Sequence, residues 1–413
     1  MADIRSYTRE KAKRETEKTN KESRLRLVKA ESKETFQKKL FRHRLSFFYK
    51  IMLSVLVCAA LIVIAVLQYK NRLYEDYEVI SKVDMEMAGQ ATNIRLGSNI
   101  LTYSKDGARC MDAKGNVLWN QTYEMQSPIV AVCGNVVAIG DFNGRTIYVQ
   151  DSEKQLGTIS TNLPIRNICV AQNGVVAAVL EDTKVTWIYI YDSAGKELLY
   201  FYTTIKNTGY PVSVSLSPNA LLCMVSYMYV DAGVLKSSIA FYNFDEYGKN
   251  QIDNLVGGYN YTDVVVPYVQ FMDNQTAFAV ADDAVMFYSG SQVPELLSIH
   301  YLQTEVRSVF YNENYVGLVF NNDTGESRYR LEIYDKSGEN IGTREFDMDY
   351  LEIVFHKDTF IIYNDEECLI ATMDGIDKYH GGFKKTVELL VPGNGQYRYT
   401  LITGDSLDTI QMK

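Results

Sequence analysis

The apolar residues of the chain follow two different patterns, before and after a short polar stretch near residue 75. The first is one uncharged run, Ile51–Tyr69, which holds 19 residues between Lys50 and Lys70. An α-helix of about 20 residues crosses the roughly 30 Å of a bilayer's hydrocarbon. From residue 79 onward, the apolar residues come in short alternating runs bounded by turn residues, a pattern typical of β-strands. The sequence therefore predicts one transmembrane helix followed by an all-β domain.

The apolar run is interpreted as a retained membrane anchor and not as a cleaved signal peptide. It begins only at residue 51, and Lys70 follows it where a signal peptide would need small residues for cleavage. Residues 1–50 carry 16 basic and 7 acidic residues, a net charge of +9, whereas residues 51–413 carry 26 basic and 44 acidic residues, a net charge of −18. Because basic flanks stay in the cytoplasm, we expect a cell-membrane protein with a cytoplasmic N-terminus.

These patterns divide the chain into four segments. They are a basic cytoplasmic tail, helical or partly disordered (1–45), a transmembrane helix (46–69), a connector (70–78) and an extracytoplasmic domain (79–413). The bilayer is the first expected partner. The basic residues next to the span either attract anionic lipid headgroups or only enforce the topology. Basic runs alone are nonspecific, so nucleic acid is not an expected partner.

A turn motif recurs through the acidic domain. The three clearest copies, MDAKG, YDSAG and YDKSG, share D-x-x-G after an apolar run, and weaker copies lie at residues 151, 245, 289 and 374. Successive copies are 39 to 53 residues apart. Asp accepts hydrogen bonds from a turn backbone, and Gly adopts the left-handed conformation that closes a short β-hairpin. The predicted structural turn residues are Asp112, Gly115, Asp192, Gly195, Asp335 and Gly338.

The repeat predicts a β-propeller. Each of four prolines (Pro128, Pro164, Pro211 and Pro267) precedes a short alternating run, as expected at the first residue of a strand. Three strands fit between this proline and the D-x-x-G turn, and a fourth follows the turn. Four strands in each unit of about 40 residues are typical of propeller blades. Stacked β-sandwich domains are the alternative, but no stretch of the domain resembles an interdomain linker.

The ends of the repeat predict eight blades and a closure. Inner strands are expected to begin near residues 92, 128, 165, 212, 266, 305, 350 and 385. The last unit ends before its outer strand, and residues 78–88 are positioned to supply it. Pairing of this strand with the last blade would leave no wide open edge. Seven blades are the alternative if the irregular region 205–262 is misread.

The domain contains few groups in patterns associated with catalysis. Its histidines (His300, His356 and His380) are interpreted as structural or solvated, in different blades, and have no metal-ligand spacing. We therefore expect no catalytic residues, no metal and no cofactor. The five cysteines of the domain are interpreted mainly as buried thiols. Two stretches, Ser226–Gly233 and the presumed loop Gly257–Asp263, are either an interaction surface or ordinary loop variation.

The repeats DAKGNVLW, YDSAGKELL and YDKSGENI resemble those of the PQQ-like and WD40-like β-propeller superfamily. The layout of a basic tail, one span and a propeller resembles an uncharacterised family of single-pass, membrane-anchored propellers of Gram-positive bacteria. The resemblance implies fold and not activity. Quinoprotein dehydrogenases of the superfamily hold their cofactor with a tryptophan platform and a calcium site, and no such signature surrounds Trp119 or Trp187.

We therefore expect a noncatalytic scaffold, not an enzyme, that binds an extracytoplasmic protein or polysaccharide at the cell envelope. Propeller assembly factors of the periplasm, which act by binding proteins, offer the nearest functional analogy. The alternative is a transmembrane sensor, in which ligand binding to the propeller is relayed to the cytoplasmic tail.

Overall fold

The computed structural model describes residues 4–22, 33–85, 91–183, 185–204, 208–322 and 325–413. The chain divides into two units, Met1–Lys70 and Asn71–Lys413. The first unit contains two helices, α1 (Ile4–Glu22) and α2 (Lys33–Lys70). Over the described residues, α2 from Thr35 to Lys70 is the one helix long and apolar enough to cross a membrane, with a mean hydropathy of 2.8 in its most apolar window. A signal sequence near an N-terminus also meets these criteria of length and composition.

The second unit is built of eight antiparallel sheets, each of four strands. Blade 1 comprises β2 (Thr92–Leu96), β3 (Asn99–Tyr103), β4 (Gly107–Met111) and β5 (Val117–Thr122). Blade 2 comprises β6 (Pro128–Cys133), β7 (Val136–Asp141), β8 (Thr146–Asp151) and β9 (Gln155–Ser160). Blade 3 comprises β10 (Ile165–Val170), β11 (Val176–Glu181), β12 (Thr186–Tyr191) and β13 (Glu197–Thr203). Blade 4 comprises β14 (Tyr210–Leu216), β15 (Leu222–Asp231), β16 (Val234–Asn243) and β17 (Leu255–Thr262).

The remaining blades follow the same order. Blade 5 comprises β18 (Tyr268–Phe271), β19 (Thr276–Val280), β20 (Ala284–Ser289) and β21 (Glu295–Tyr301). Blade 6 comprises β22 (Val306–Tyr311), β23 (Tyr315–Asn321), β24 (Tyr329–Asp335) and β25 (Asn340–Phe346). Blade 7 comprises β26 (Glu352–His356), β27 (Thr359–Tyr363), β28 (Glu367–Thr372) and β29 (Asp377–Gly382). Blade 8 comprises β30 (Val387–Pro392), β31 (Arg398–Thr403), β32 (Ser406–Met412) and β1 (Tyr77–Asp84).

The eight-bladed propeller and its closure are confirmed, and the seven-bladed alternative is excluded. The strand order of the last sheet is β1-β32-β31-β30, so the first strand of the propeller is the outer strand of the last blade. Tyr77 pairs with Met412 and Asp84 pairs with Ser406, with a bulge after Val79. The end of the predicted strand, residues 86–88, lies outside the described residues. The ring therefore closes by hydrogen bonding between the two ends of the domain.

The hydrophobic core is divided among the boundaries between blades. In the described residues, eight clusters of buried side chains occur, and each joins two consecutive blades. One of them joins blade 1 to blade 8 through Ile100 and Ile402, both fully buried. Side-chain packing between blades 8 and 1 thus adds to the closure that β1 makes by pairing within blade 8.

The position of a strand within its blade explains its pattern of buried and exposed residues. Two of the second strands, β19 (TAFAV) and β27 (TFIIY), are buried along their whole length and are almost continuously apolar. Such strands are covered on both faces. The outer strands, such as β13 and β17, alternate between exposed and covered residues because only one of their faces meets the neighbouring blade.

Candidate interaction surface

The predicted turn residues lie between the third and fourth strands of blades 1, 3 and 6. Asp192 Oδ1 accepts hydrogen bonds from the amides of Ala194 (3.0 Å) and Lys196 (2.8 Å). The side chains of Asp112 and Asp335 accept the equivalent bonds in their own turns. The expected positive φ is confirmed at Gly195 (90°) and Gly338 (82°), and Gly115 has a φ of 84°.

These glycines also touch the preceding blade, which their sequence pattern did not indicate. A Cβ on Gly195 would lie 2.8 Å from the carbonyl oxygen of Thr158, in the outer strand of blade 2. A Cβ on Gly338 would clash with Ser298 Oγ, in the outer strand of blade 5. The motif thus combines a left-handed turn with a close contact between blades. The close contact exists only because the folded ring places each of these glycines against the preceding blade.

The histidines are not all in different blades, so that interpretation is wrong for one pair. His356 ends the inner strand of blade 7, and His380 lies in the outer strand of the same blade. Burial lowers the pKa of His356 below its ordinary value, so the ring is neutral near pH 7. His380 Nε2 lies 3.7 Å from Glu367 Oε2. Among the described residues, no group of three or more His, Cys, Asp or Glu side chains is arranged to hold a metal ion.

The cysteines are all free thiols, as predicted for those of the propeller. Cys110, Cys223 and Cys368 are buried, whereas Cys133 and Cys169 are half-buried in the inner strands of blades 2 and 3. Burial raises the pKa of Cys110 to about 12, so this thiol is protonated and unreactive at neutral pH.

The interaction surface predicted on blade 4 has a different structure from the one expected. The stretch Gly257–Asp263 is not a loop, because it forms most of the outer strand β17. Tyr259 and Tyr261 pack towards blade 5, where the Tyr261 hydroxyl lies 2.9 Å from the hydroxyl of Tyr288. The other stretch extends the ladder of β15 and β16 and exposes Val230 at its end. Most of these tyrosines therefore serve the boundary between blades.

A partly exposed group of aromatic rings lies on the outer half of blade 3, where Trp187 and Tyr189 also pack against the core between blades 2 and 3. We call it the blade 3 aromatic surface, and it consists of Trp187, Tyr189, Tyr200 and Tyr202. Trp187 pairs with Tyr202 across β12 and β13, and Tyr189 pairs with Tyr200, so all four side chains lie on one face of the sheet. Tyr200 is 53% exposed and Tyr202 is 62% exposed.

The four rings form a continuous, preorganised platform. The Trp187 ring centroid lies 5.3 Å from that of Tyr202 and 5.7 Å from that of Tyr200, and the Tyr189 and Tyr200 centroids are 5.2 Å apart. These distances are typical of favourable aromatic pairs. Burial raises the pKa of Tyr189, so its phenol is neutral and can donate a hydrogen bond. The platform thus offers apolar ring faces and neutral polar hydroxyls together.

The sequence did not single out this surface, because tyrosines at alternating strand positions are compatible both with packing between blades and with a binding face. Tyr191, Tyr288 and Tyr334 pack between blades and are at most 4% exposed. Tyr200 and Tyr202 differ because they lie in the fourth strand of their unit, whose outer edge no other strand covers. Alternating tyrosines after a D-x-x-G turn were the signal that could have indicated an exposed platform.

The fold defines the class of protein, an eight-bladed antiparallel β-propeller preceded by an apolar N-terminal helix. Within that class, the chain belongs to a family of unknown function (DUF5711), which matches residues 70–412. A comparison with curated proteins gave no match.

Several solved structures are similar to the chain in fold. BamB from Moraxella catarrhalis is 11% identical, with a TM-score of 0.48 over 82% of this chain and 100% of its own. The WD40 domain of Pan2 from Neurospora crassa is 8% identical, with a TM-score of 0.41 over 69% of this chain and 88% of its own. Hsv2 from Kluyveromyces marxianus is 8% identical, with a TM-score of 0.42 over 66% of this chain and 88% of its own.

Proposed function

We propose that this protein is a noncatalytic propeller, anchored in the cell membrane, that binds a protein or a cell-wall polymer outside the cell. The observation that carries the proposal is the blade 3 aromatic surface, in which the exposed rings of Tyr200 and Tyr202 lie on a sheet beside the half-buried Trp187 and Tyr189. Tyr and Trp are enriched where proteins bind partners, because each contributes a large contact area and a polar group.

The packing of the platform supports a binding role. Tyr200 contacts both Trp187 and Tyr189, so its ring is held in place by its neighbours. Ordering a free side chain on binding costs roughly 0.5–1.5 kcal/mol, and a ring that is already held loses less. The platform therefore suits partners with flat apolar faces and hydrogen-bonding groups, such as a sugar polymer or an aromatic-rich protein segment.

The membrane part of the proposal rests on α2 and on the charges around it. Residues 51–413 carry a net charge of −18, whereas residues 1–50 carry +9, which favours a cytoplasmic N-terminus. We include in the proposal that α2 spans the bilayer once, that its basic flank contacts anionic headgroups, and that the chain is one of the membrane-anchored propellers of Gram-positive bacteria.

A sensor that relays binding to the tail is the second candidate, and the connector supports it. The amide of Tyr74 donates to the carbonyl of Lys378 (2.7 Å), and the amide of Glu75 donates to the carbonyl of Lys413 (3.2 Å). The chain is thus hydrogen-bonded to blade 7 and to the C-terminus within a few residues of Lys70, the last residue of α2. A conformational change in the propeller that moves Tyr74 or Glu75 would therefore be only a few residues along the chain from α2.

The scaffold proposal is tested by removing the exposed rings. The double variant Tyr200→Ser/Tyr202→Ser should lose about tenfold or more in affinity for purified wall polymer in a sedimentation assay, or for an envelope protein in cross-linking. The matched control is Leu297→Ser/Tyr301→Ser, on the outer strand of blade 5, where both residues are exposed. Equal binding by the wild type and both variants would contradict the proposal.

Deletion of residues 1–40 separates the two candidate functions. A scaffold should keep its function in cells without the tail, because binding resides in the propeller. A sensor should lose its function while its propeller still binds the partner.

A further inference from the structure

A cavity lies on the face of blade 8 that is turned towards blade 7. It measures about 270 Å³, close to the lower end of the roughly 300–1,000 Å³ found for small-molecule pockets. Strand β1 lines one side of the cavity, strands β30, β31 and β32 line its floor, and Lys384 and Lys385 of the segment before β30 complete the lining. The apolar part of its lining consists of Val79, Val387, Leu401 and Ile410.

One buried carboxylate in this lining has an unsatisfied oxygen. Asp408 is 7% exposed and lies on β32, directly opposite Lys82 of β1 in the ladder. Its Oδ1 atom is buried and accepts no hydrogen bond from any residue that the structure describes. Burial of a charge without a partner is costly, and buried polar groups are almost always hydrogen-bonded. Rotation about the last side-chain bond of Asp is soft, so either oxygen can face a ligand in the cavity.

The lysines around the cavity have other partners. Lys82 Nζ lies 2.6 Å from Asp84 Oδ1, and Lys385 Nζ lies 2.7 Å from Asp405 Oδ1.

The third lysine is also engaged. Lys384 Nζ lies 3.3 Å from Asp76 Oδ1, donates to the carbonyl of Tyr77 (3.0 Å) and sits over the Tyr77 ring. The three cations that line the cavity are therefore each paired with a different carboxylate, and Asp408 is the acidic group left over. A ligand that satisfies Asp408 should therefore carry a positive charge.

We infer that this cavity binds a primary ammonium group carried on a short aliphatic chain. The ammonium donates to the carboxylate of Asp408, and the chain lies against the apolar residues of the floor. A charge-assisted hydrogen bond to a buried carboxylate is about twice as strong as a neutral one. An anionic ligand would be repelled by the carboxylate of Asp408, and each lysine of the lining already has a carboxylate partner. The ammonium belongs either to a free amine or to a lysine side chain of a partner.

Binding at this position should stabilise the closure of the ring. The ligand would contact Val79 of β1 and Ile410 of β32, which pair with each other across the boundary between the two ends of the domain. A ligand that binds only the closed, folded state raises its stability. Occupancy should therefore raise the melting temperature of the propeller.

The test is isothermal titration calorimetry on the full-length chain in a nonionic detergent at pH 7. The probes are pentylammonium, Nα-acetyl-lysine methylamide, 1-pentanol as the neutral analogue and pentanoate as the anionic one. We expect one ammonium to bind per chain, with at least tenfold weaker binding of pentanol and none of pentanoate. Binding of both ammonium probes indicates that a free amine suffices, whereas binding of the lysine derivative alone indicates a peptide-borne lysine.

Two variants locate the site, and a third is the control. Asp408→Asn should lower the affinity at least tenfold without lowering the melting temperature, because it removes the charge of a carboxylate whose buried Oδ1 accepts no hydrogen bond from the described residues. Val79→Phe should block the cavity from a half-exposed position while Asp408 remains. Asp231→Asn removes an exposed carboxylate on blade 4 and should bind like the wild type.

Three results would overturn the inference. They are wild-type affinity for pentylammonium in both Asp408→Asn and Val79→Phe, tighter binding of pentanoate than of pentylammonium, and no binding of either ammonium probe at about 10 mM, a concentration that detects very weak complexes.

Discussion

Replacement of Tyr77 by Ala should open the ring at the boundary between blades 7 and 8. Tyr77 is the first residue of β1 and is only 2% exposed. Its ring belongs to the cluster that contains Cys368 of blade 7 and Tyr399 of blade 8. Its hydroxyl accepts a hydrogen bond from the amide of Lys384 (2.7 Å). One side chain thus fastens the outer strand to both blades.

The structure sets the size of the effect. Truncation of a buried aromatic ring to Ala costs about 3–5 kcal/mol, which is a large part of the roughly 5–15 kcal/mol that stabilises a typical domain. Tyr77→Phe keeps the ring and removes only the acceptor for the Lys384 amide, so it should cost about 1–3 kcal/mol. The difference between the two variants measures the packing of the ring.

The assay is urea unfolding of the fragment 71–413, followed by tryptophan fluorescence and circular dichroism. Ile80→Ala is the matched control on the same strand, because Ile80 is 48% exposed in the bulged part of β1. Exposed substitutions usually change stability by less than about 0.5 kcal/mol. A second fragment, 91–413, lacks β1 and leaves the edge of β32 unpaired, so it should aggregate or melt at a lower temperature.

Two results would refute this reasoning. If Tyr77→Ala were no more destabilising than Ile80→Ala, the ring of Tyr77 would not fasten the boundary. If the fragments 71–413 and 91–413 melted alike, the closure of the propeller would not depend on β1.

Three further predictions concern topology, turns and pH. Protease added to intact spheroplasts should digest the propeller and leave the basic tail, and protection of the propeller would reverse the topology. Asp192→Ala and Asp335→Ala should each cost about 1 kcal/mol and should add in the double variant, as measured by urea unfolding; unchanged stability with lost partner binding would make these residues ligands instead. Hydrogen bonds from Lys385 and Thr403 lower the pKa of Asp405 to about 2, so its contribution to stability is present above pH 4 and is lost as the pH falls through 2. The difference in Tm between the wild type and Asp405→Asn should therefore shrink over that range, and a constant difference would contradict the assignment.

The sequence by itself determined the architecture of this protein, because the relevant signals are local. An alternating strand can be recognised within six residues, and a D-x-x-G turn such as Asp335–Gly338 within four. Their repetition predicted eight blades, and the missing outer strand of the last unit predicted that the first strand of the domain pairs with the last blade, which the structure confirms. No contact between distant residues was needed for these conclusions.

Only the tertiary structure decided which surfaces and cavities the blades form. The exposed platform around Tyr200 depends on the edge position of its strand, and the contact of Gly338 with Ser298 depends on the distance between two blades. In the sequence, Asp408 resembles any other polar residue of an alternating strand. Only the fold places it in one cavity with residues of β1 and with Lys384. Each of these features is formed by segments that are far apart in sequence. The twist of the sheets and the closure of the ring determine how those segments lie against each other, and neither can be recognised from a local pattern.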